Sequence, residues 1–295
     1  MAQKKIRLKG HETFILREGW LTKGILEVSE NQKVFSENFG ADALGVGSNM
    51  AKAIRYWLRE SGLMTELQKI GAKLTNMGKL ILDKDAYFED DFSLWLVHCN
   101  LAMNAEKVTS WYGFFNLLES EEFTREELEW ELKDKILLYS GAESVPERSL
   151  KDDCNAILSM YFRENEKDYD PEEKRISPFA HLGLVRKNLN RYKKVTPNLN
   201  TLSMDVILYI LAKHKECTGI KSISIDDLVN GENLPGKILN LNRTVLNKYL
   251  DELADENCLT VNRTAGLDMV YLGDIKSLDV AARHYEKGQR HEKFE

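Results

Sequence analysis

"ALGVGSNMAKAIRYWLRESGLM", residues 43–64, decides how the N-terminal third of the chain is read. It opens on a glycine-flanked turn and runs into a helical pattern that carries Lys52, Arg55 and Arg59. Two chemistries compete for it. In a phosphate loop, Gly45 and Gly47 would offer free backbone N–H groups to an anion at the start of a helix. A Walker loop needs G-x-x-x-x-G-K-[ST], and a dinucleotide fingerprint needs G-x-G-x-x-G after a strand; "GVGSNMAK" satisfies neither. A helix-turn-helix accounts for more residues. Ala41 is small where two helices would cross, Gly45 reverses the chain and Val46 plugs the turn. Ser48 is placed to cap the second helix by accepting a backbone N–H. Met50, Ala53, Ile54, Trp57 and Leu58 fall on one face, which predicts the buried side. Ser48, Lys52, Arg55 and Arg59 fall on the opposite stripe, with Asn49 and Tyr56 beside it, and form the expected DNA-contacting face. The competing interpretation is the solvated face of a purely structural module.

The same theme recurs further along. Residues 36–82 read as short helix, turn, longer helix and hairpin, with "KLTNMGKLIL" (73–82) as returning strand and following helix. Residues 224–272 repeat it, and there "CLTVNRT" and "LDMVYL" alternate on either side of "AG", a hairpin signature. Helix-turn-helix plus hairpin predicts a winged helix at both places. Between them, "DFSLWLVHCNLAMN" (91–104) sets Phe92, Trp95, Leu96, Cys99 and Met103 at helical spacing, and "SLKDDCNAILSMYF" (149–162) does the same with Leu150, Cys154, Ile157, Leu158 and Tyr161. "FTREELEWELKDKILLYSG" (123–141) begins with Thr124 three residues before Glu127, a capping box, and ends at Gly141. The charged, two-proline stretch "RENEKDYDPEEKRISP" (163–178) reads as a boundary. The expected fold is therefore mainly α with small β-hairpins (α+β), with winged-helix modules around a helical middle. The expected domains are 1–84 (N-terminal segment and basic winged helix), 85–175 (acidic helical domain) and 176–295 (C-terminal winged helix with a short charged tail).

Charge sorts these regions. The 295 residues carry a net −6, but residues 1–84 hold +5, 85–175 hold −13 and 176–295 hold +2. A polyanion would meet the first region most readily. The C-terminal counterpart of the reading helix sets Asp251, Glu252, Asp255 and Glu256 beside Lys248, which would repel phosphates. The helical middle, with Glu126, Glu127, Glu129, Glu131, Asp152 and Asp153, has the same defect. No apolar run approaches the roughly 20 residues of a membrane span and the N-terminus lacks a signal-peptide core, so a cytoplasmic location is expected. Cys99, Cys154, Cys217 and Cys258 are scattered singly, which supports neither a zinc site nor a disulfide framework.

"GHETFILREGWLTKG" (10–24) is the densest group of chemically capable side chains. His11 and Glu12 could serve as acid or base, and Arg17 or Lys23 as a phosphate clamp. Packing of Phe14 and Trp20 on the first module, with an Arg17–Glu12 ion pair, explains the same residues structurally. Other catalytic templates are missing, and "DPEEK" (170–174) is a weak nuclease motif in a charged loop.

Together with "SLWLVHCNLAMN", "TSWYGFFN", "SPFAHLGLV", "LPGKILNLNRTVL" and "TAGLDMVYL", these motifs make the chain resemble the bacterial domain-of-unknown-function 4007 family from about residue 7 to 272. The resemblance implies a place in phage-defence clusters. One branch is the B component of a single-stranded DNA phosphorothioation system, to which DNA nicking is attributed. It implies other phosphorothioation or defence proteins as partners; the helix-turn-helix face adds double-stranded DNA, hydropathy leaves no membrane, and a homodimer is the self-assembly to consider. The cofactor is unknown, with a divalent metal the candidate if the chain is a nickase. His11, Glu12 and Arg17 are catalytic candidates by motif density, and Lys23, Ser48, Asn49, Lys52, Arg55, Tyr56 and Arg59 are DNA-binding candidates. A winged-helix regulator of a defence cluster and an assembly scaffold are the alternatives.

Overall fold

The computed structural model describes residues 3–163, 176–266 and 268–292. Most of the boundary stretch 163–178, including "DPEEK", lies outside the described residues. The chain forms two compact units, Met1–Val195 and Thr196–Glu295. Helices dominate, and the strands make small antiparallel sheets, an α+β architecture.

The first unit begins with an extended segment and α1 (Trp20–Glu30), which buries Trp20, Leu21, Ile25 and Val28. A short α2 (Ala41–Leu44) ends on Gly45, whose φ of 63° is the left-handed conformation glycine tolerates best. Then comes α3 (Ser48–Glu60). Gly47, not Ser48, is its N-cap, and no side chain caps it, so the expected serine cap is absent. Strands β1 (Met64–Leu67) and β2 (Gly71–Leu74) pair from Met64↔Leu74 to Leu67↔Gly71. Thr75 caps α4 (Asn76–Lys84) by accepting from the Gly78 N–H.

Helix α5 (Asp91–Ala102) departs from expectation: every residue from Phe92 to Ala102 is buried. A helix buried on every face is a central core helix, not one with a single buried stripe. His98 inside it is satisfied by the Tyr161 hydroxyl, 2.7 Å from its Nδ1. Helix α6 (Thr109–Tyr112) continues into a π-helical turn at Gly113–Leu117 and β3 (Glu122–Phe123). Helix α7 (Arg125–Ser140) has the complete capping box of Thr124 and Glu127 and stops at Gly141 with φ 67°. Helix α8 (Glu147–Tyr161) buries Leu150, Cys154, Ile157, Leu158 and Tyr161 as the spacing required. Strands β4 (Val185–Asn188) and β5 (Arg191–Lys194) form a hairpin whose second strand pairs with β3, giving the order β3-β5-β4. Residues 176–195 thereby complete the first unit.

In the second unit, α9 (Met204–Thr218) is buried from Asp205 to Ala212. After β6 (Ser222–Ser224) come α10 (Ile225–Asn230), α11 (Pro235–Ile238) and α12 (Arg243–Asp255). The expected hairpin is β7 (Leu259–Asn262) and β8 (Met269–Leu272), and β6 adds a third strand in the order β6-β8-β7. Beyond β8, on the side of the chain where a short charged tail is expected, residues form α13 (Ser277–Glu292), which buries Val280, Ala281 and Tyr285. Buried Asp205 on α9 accepts from Arg283 and from His284 Nδ1 at 3.1 Å, joining α13 to α9.

Candidate nucleic-acid interface

The N-terminal motif folds back onto α3. Lys9, Glu12 and Thr13 have positive φ (54°, 51° and 66°), and the Phe14 N–H closes a turn on the His11 carbonyl at 2.8 Å. Gly10 makes this approach possible, since a Cβ there would lie 2.1 Å from Tyr56 Cε2. His11 is wholly buried. Its ring stacks on Trp57, with centroids 5.6 Å apart and planes 14° from parallel. His11 Nε2 lies 2.9 Å from Asp153 Oδ1 on α8. Asp153 Oδ2 accepts from Ser110 Oγ at 2.5 Å, and the Lys9 backbone N–H donates to the same carboxylate. Asp153 accepts these hydrogen bonds in a setting where an unpaired carboxylate would be costly. The Trp57 indole N–H then donates to the Phe14 carbonyl at 3.1 Å.

The remaining motif residues lie apart from this clasp. Glu12 is exposed. Arg17 packs over Trp20 and Phe14, 5.1 and 5.5 Å from their ring centres, with Nη1 3.7 Å from Met50 Sδ. No Arg17–Glu12 ion pair forms among the described contacts. Lys23 Nζ reaches the Leu44 carbonyl of α2 at 3.4 Å. Arg17 also lines a cavity of about 1080 Å³ with Thr22, Asp91, Arg163, Ser177 and His181, where His181 Nε2 lies 3.0 Å from Asp91 Oδ1.

The expected DNA face of α3 is less positive than its sequence suggests. Ser48 and Asn49 are exposed, and Lys52 Nζ sits 3.3 Å from Asn49 Oδ1 and 4.4 Å above the Phe39 ring. Arg55 Nε, however, donates to Glu66 Oε1 at 2.5 Å. Arg59 bridges Glu66 Oε2 at 3.1 Å and Glu60 Oε1 at 2.7 Å, and Arg7 approaches Glu60 at 3.6 Å. Three guanidinium groups thus face two carboxylates. Burial alone would raise the Glu66 carboxyl, but Arg55 and Arg59 outweigh it and hold it below its ordinary value. Burial works against the Arg59 charge, yet Glu60 and Glu66 raise its pKa overall. Tyr56, expected beside the outward stripe, points inward: it is 4% exposed and its hydroxyl donates to the Lys107 carbonyl at 3.2 Å.

Sequence reading missed the carboxylates that complete these contacts. Asp153 was counted with the acidic surface, although it sits in the buried stripe of Leu150, Cys154 and Ile157 and is 2% exposed. A lone carboxylate within an apolar stripe is the signal for a buried partner. Glu66 carried no such signal, because only the β1–β2 pairing brings it under α3. Among the described residues no three His, Cys, Asp or Glu side chains converge as a metal site. No described helix is long and apolar enough to cross a membrane.

Comparison with known proteins gives a consistent outcome. The family described as "Protein of unknown function (DUF4007)" matches residues 8–285. A crystal structure of SspB superposes with a TM-score of 0.82 at 25% identity, covering 97% of this chain and 88% of that one. A crystal structure of magnesium ion-bound SspB gives the same values. No curated protein sequence matches the chain.

Proposed function

The chain belongs to the DUF4007 family, and from that premise we propose that it is the DNA-binding component of a bacterial DNA phosphorothioate-modification and phage-defence system. The observation that carries the reading is the likeness of fold to SspB over 97% of the chain. The family resemblance supplies the link to single-stranded DNA phosphorothioation. In this reading α2, α3 and the β1–β2 hairpin act as a winged helix, as do α10–α12 with β7 and β8. The order of these elements supports it. DNA is met by the N-terminal half of α3 through Ser48, Asn49 and Lys52, with Lys23 beside it. Arg55 and Arg59 contribute where a phosphate displaces Glu66.

Strand nicking is the finer part of the proposal and stands on the resemblance. His11 has no solvent access, so its part in this reading is to hold the clasp, while exposed Glu12 and half-buried Arg17 are the groups that could approach a strand. The pairing of Arg55 and Arg59 with Glu66 and Glu60 favours a second reading, an assembly scaffold in which α3 is structural.

Fluorescence anisotropy with a labelled duplex separates the two. The DNA-binding reading expects saturable binding that Asn49→Ala/Lys52→Ala weakens, with the log–log salt slope reduced by about one unit. Unchanged binding by the double variant would remove α3 from the interface. Supercoiled plasmid incubated with magnesium, with and without chelator, tests nicking. Plasmid that stays supercoiled throughout would end that part of the proposal.

A further inference from the structure

We propose that the β4–β5 hairpin is a second DNA-contacting element, lying against the phosphodiester backbone of duplex DNA. The inference rests on the DNA-handling reading above and adds a surface which that reading did not contain.

Acidic residues number 47 in 295, yet none occurs between Glu173 and Asp205. Within that interval the hairpin carries Arg186, Lys187, Arg191, Lys193 and Lys194. The register sets Arg186 directly opposite Lys193. Both are exposed, and neither side chain has an ion-pair or hydrogen-bond partner among the described residues. Like charges facing each other across a ladder destabilise a sheet. Folding alone gives no reason for this pair, whereas a polyanion laid across the strands does.

Among the described residues the surrounding carboxylates do not neutralise it. Glu122, opposite Lys193 on β3, is held by Arg191 Nε at 2.9 Å, and Arg191 also reaches Glu127 at 3.1 Å. Exposed Glu121 is the neighbouring acid without such a bond, at the end of β3 where its carbonyl accepts from the Lys194 N–H. The opposite face is anchored by buried Val185, Tyr192 and Phe123, which keeps the outer face aimed at solvent. On the flank, Lys187 lies 5.7 Å from the Tyr192 ring centre and lines a shallow cavity with Arg125 and Phe162. At the tip, Leu189 is 88% exposed with φ 54°. A branched apolar residue held in a left-handed conformation in water is poorly suited to folding. It is suited to contact at the edge of a groove, as two-stranded ribbons and apolar wedges make in other DNA-binding proteins. The steric and charge patterns therefore point to the same partner.

The test compares the full chain with Arg186→Ala/Lys193→Ala and with the charge-retaining Arg186→Lys/Lys193→Arg, using duplex anisotropy across a salt series. Removing two phosphate contacts should flatten the log–log slope by about two units, while the charge-retaining variant keeps it. Relief of the facing charges should leave the Ala variant's melting temperature equal to or above wild type. If wild type binds duplex and the Ala variant binds with the same affinity and slope, the hairpin proposal is overturned and the DNA-handling reading stands. If wild type binds no duplex at any salt, that reading falls and takes the hairpin proposal with it. Polyglutamate of matched charge competing as well as duplex would make the partner an acidic protein and would likewise overturn the proposal. A fold lost in the Ala variant but kept in the charge-retaining one, with duplex affinity of the latter unchanged on further Leu189→Ala/Lys187→Ala substitution, would also reject it.

Discussion

His11 lies face to face with Trp57, and its Nε2 is 2.9 Å from a carboxylate, Asp153, that comes from another helix. One imidazole thus joins the N-terminal segment, α3 and α8. Removing Asp153 takes away the hydrogen bond of a buried imidazole, and removing His11 takes one of three from Asp153, which keeps Ser110 Oγ and the Lys9 N–H. His11→Ala and Asp153→Asn are each expected to cost about 1–3 kcal/mol, as leaving a buried polar group without its hydrogen-bond partner does. Urea unfolding measures this. Unchanged stability with nicking abolished would instead make His11 a catalytic group.

Trp57→Ala removes the surface on which His11 stacks and the donor to the Phe14 carbonyl. Truncating a fully buried tryptophan costs about 3–5 kcal/mol. Thermal unfolding should show a lowered midpoint and loss of DNA affinity only in step with loss of fold. A stable Trp57→Ala protein with selectively lost binding would contradict its interior position.

Glu66→Gln is expected to raise DNA affinity and steepen its salt dependence, because Arg55 and Arg59 are released to phosphates. It should also alter acid stability. The folded-state pKa of Glu66 lies below its ordinary value of 4.5. Its stabilising contribution is therefore present above that value and is lost as pH falls through the lower, folded one. The variant should show a weaker fall in melting temperature over that acidic window than wild type. Equal affinity and an identical pH profile would mean that the Arg55–Glu66 contact has no electrostatic weight.

Much of this was legible in the chain. The capping box at Thr124, the stop at Gly141 and the hairpin around residues 259–272 depend on local chemistry that a few neighbouring residues determine. The inward face of α3 was legible at Ala53, Ile54, Trp57 and Leu58, but not at Tyr56. Its inward turn follows from the approach of Gly10 and the Lys107 carbonyl, both distant in sequence. Likewise, helical spacing places Arg55 and Arg59 outside, yet only strand pairing reveals Glu66 beneath them. The α13 segment looked like a charged tail because its apolar residues are few, and Val280, Ala281 and Tyr285 find their partner only once α9 is in place.

In the second unit, Asp205 tests the attachment of α13. Burial would raise its carboxyl, but His284 and Arg283 outweigh that and hold it below the ordinary 3.8. Asp205→Asn should destabilise the unit by about 1.5–3 kcal/mol, the range for hydrogen bonds to charged groups. The loss should be full near neutral pH and shrink as pH falls through the native carboxyl's lowered value. Hydrogen exchange along residues 277–292 reads it directly. Protection unchanged by the substitution would show that apolar contacts alone hold α13.

The most direct measurement of the central claim is mass spectrometry of nuclease-digested DNA from cells that carry the rest of the modification machinery, with and without this chain. Phosphorothioate-linked dinucleotides are expected when the chain is present, with their loss when it is deleted and partial recovery with Asn49→Ala/Lys52→Ala. Equal phosphorothioate levels in the presence and absence of the chain would contradict it.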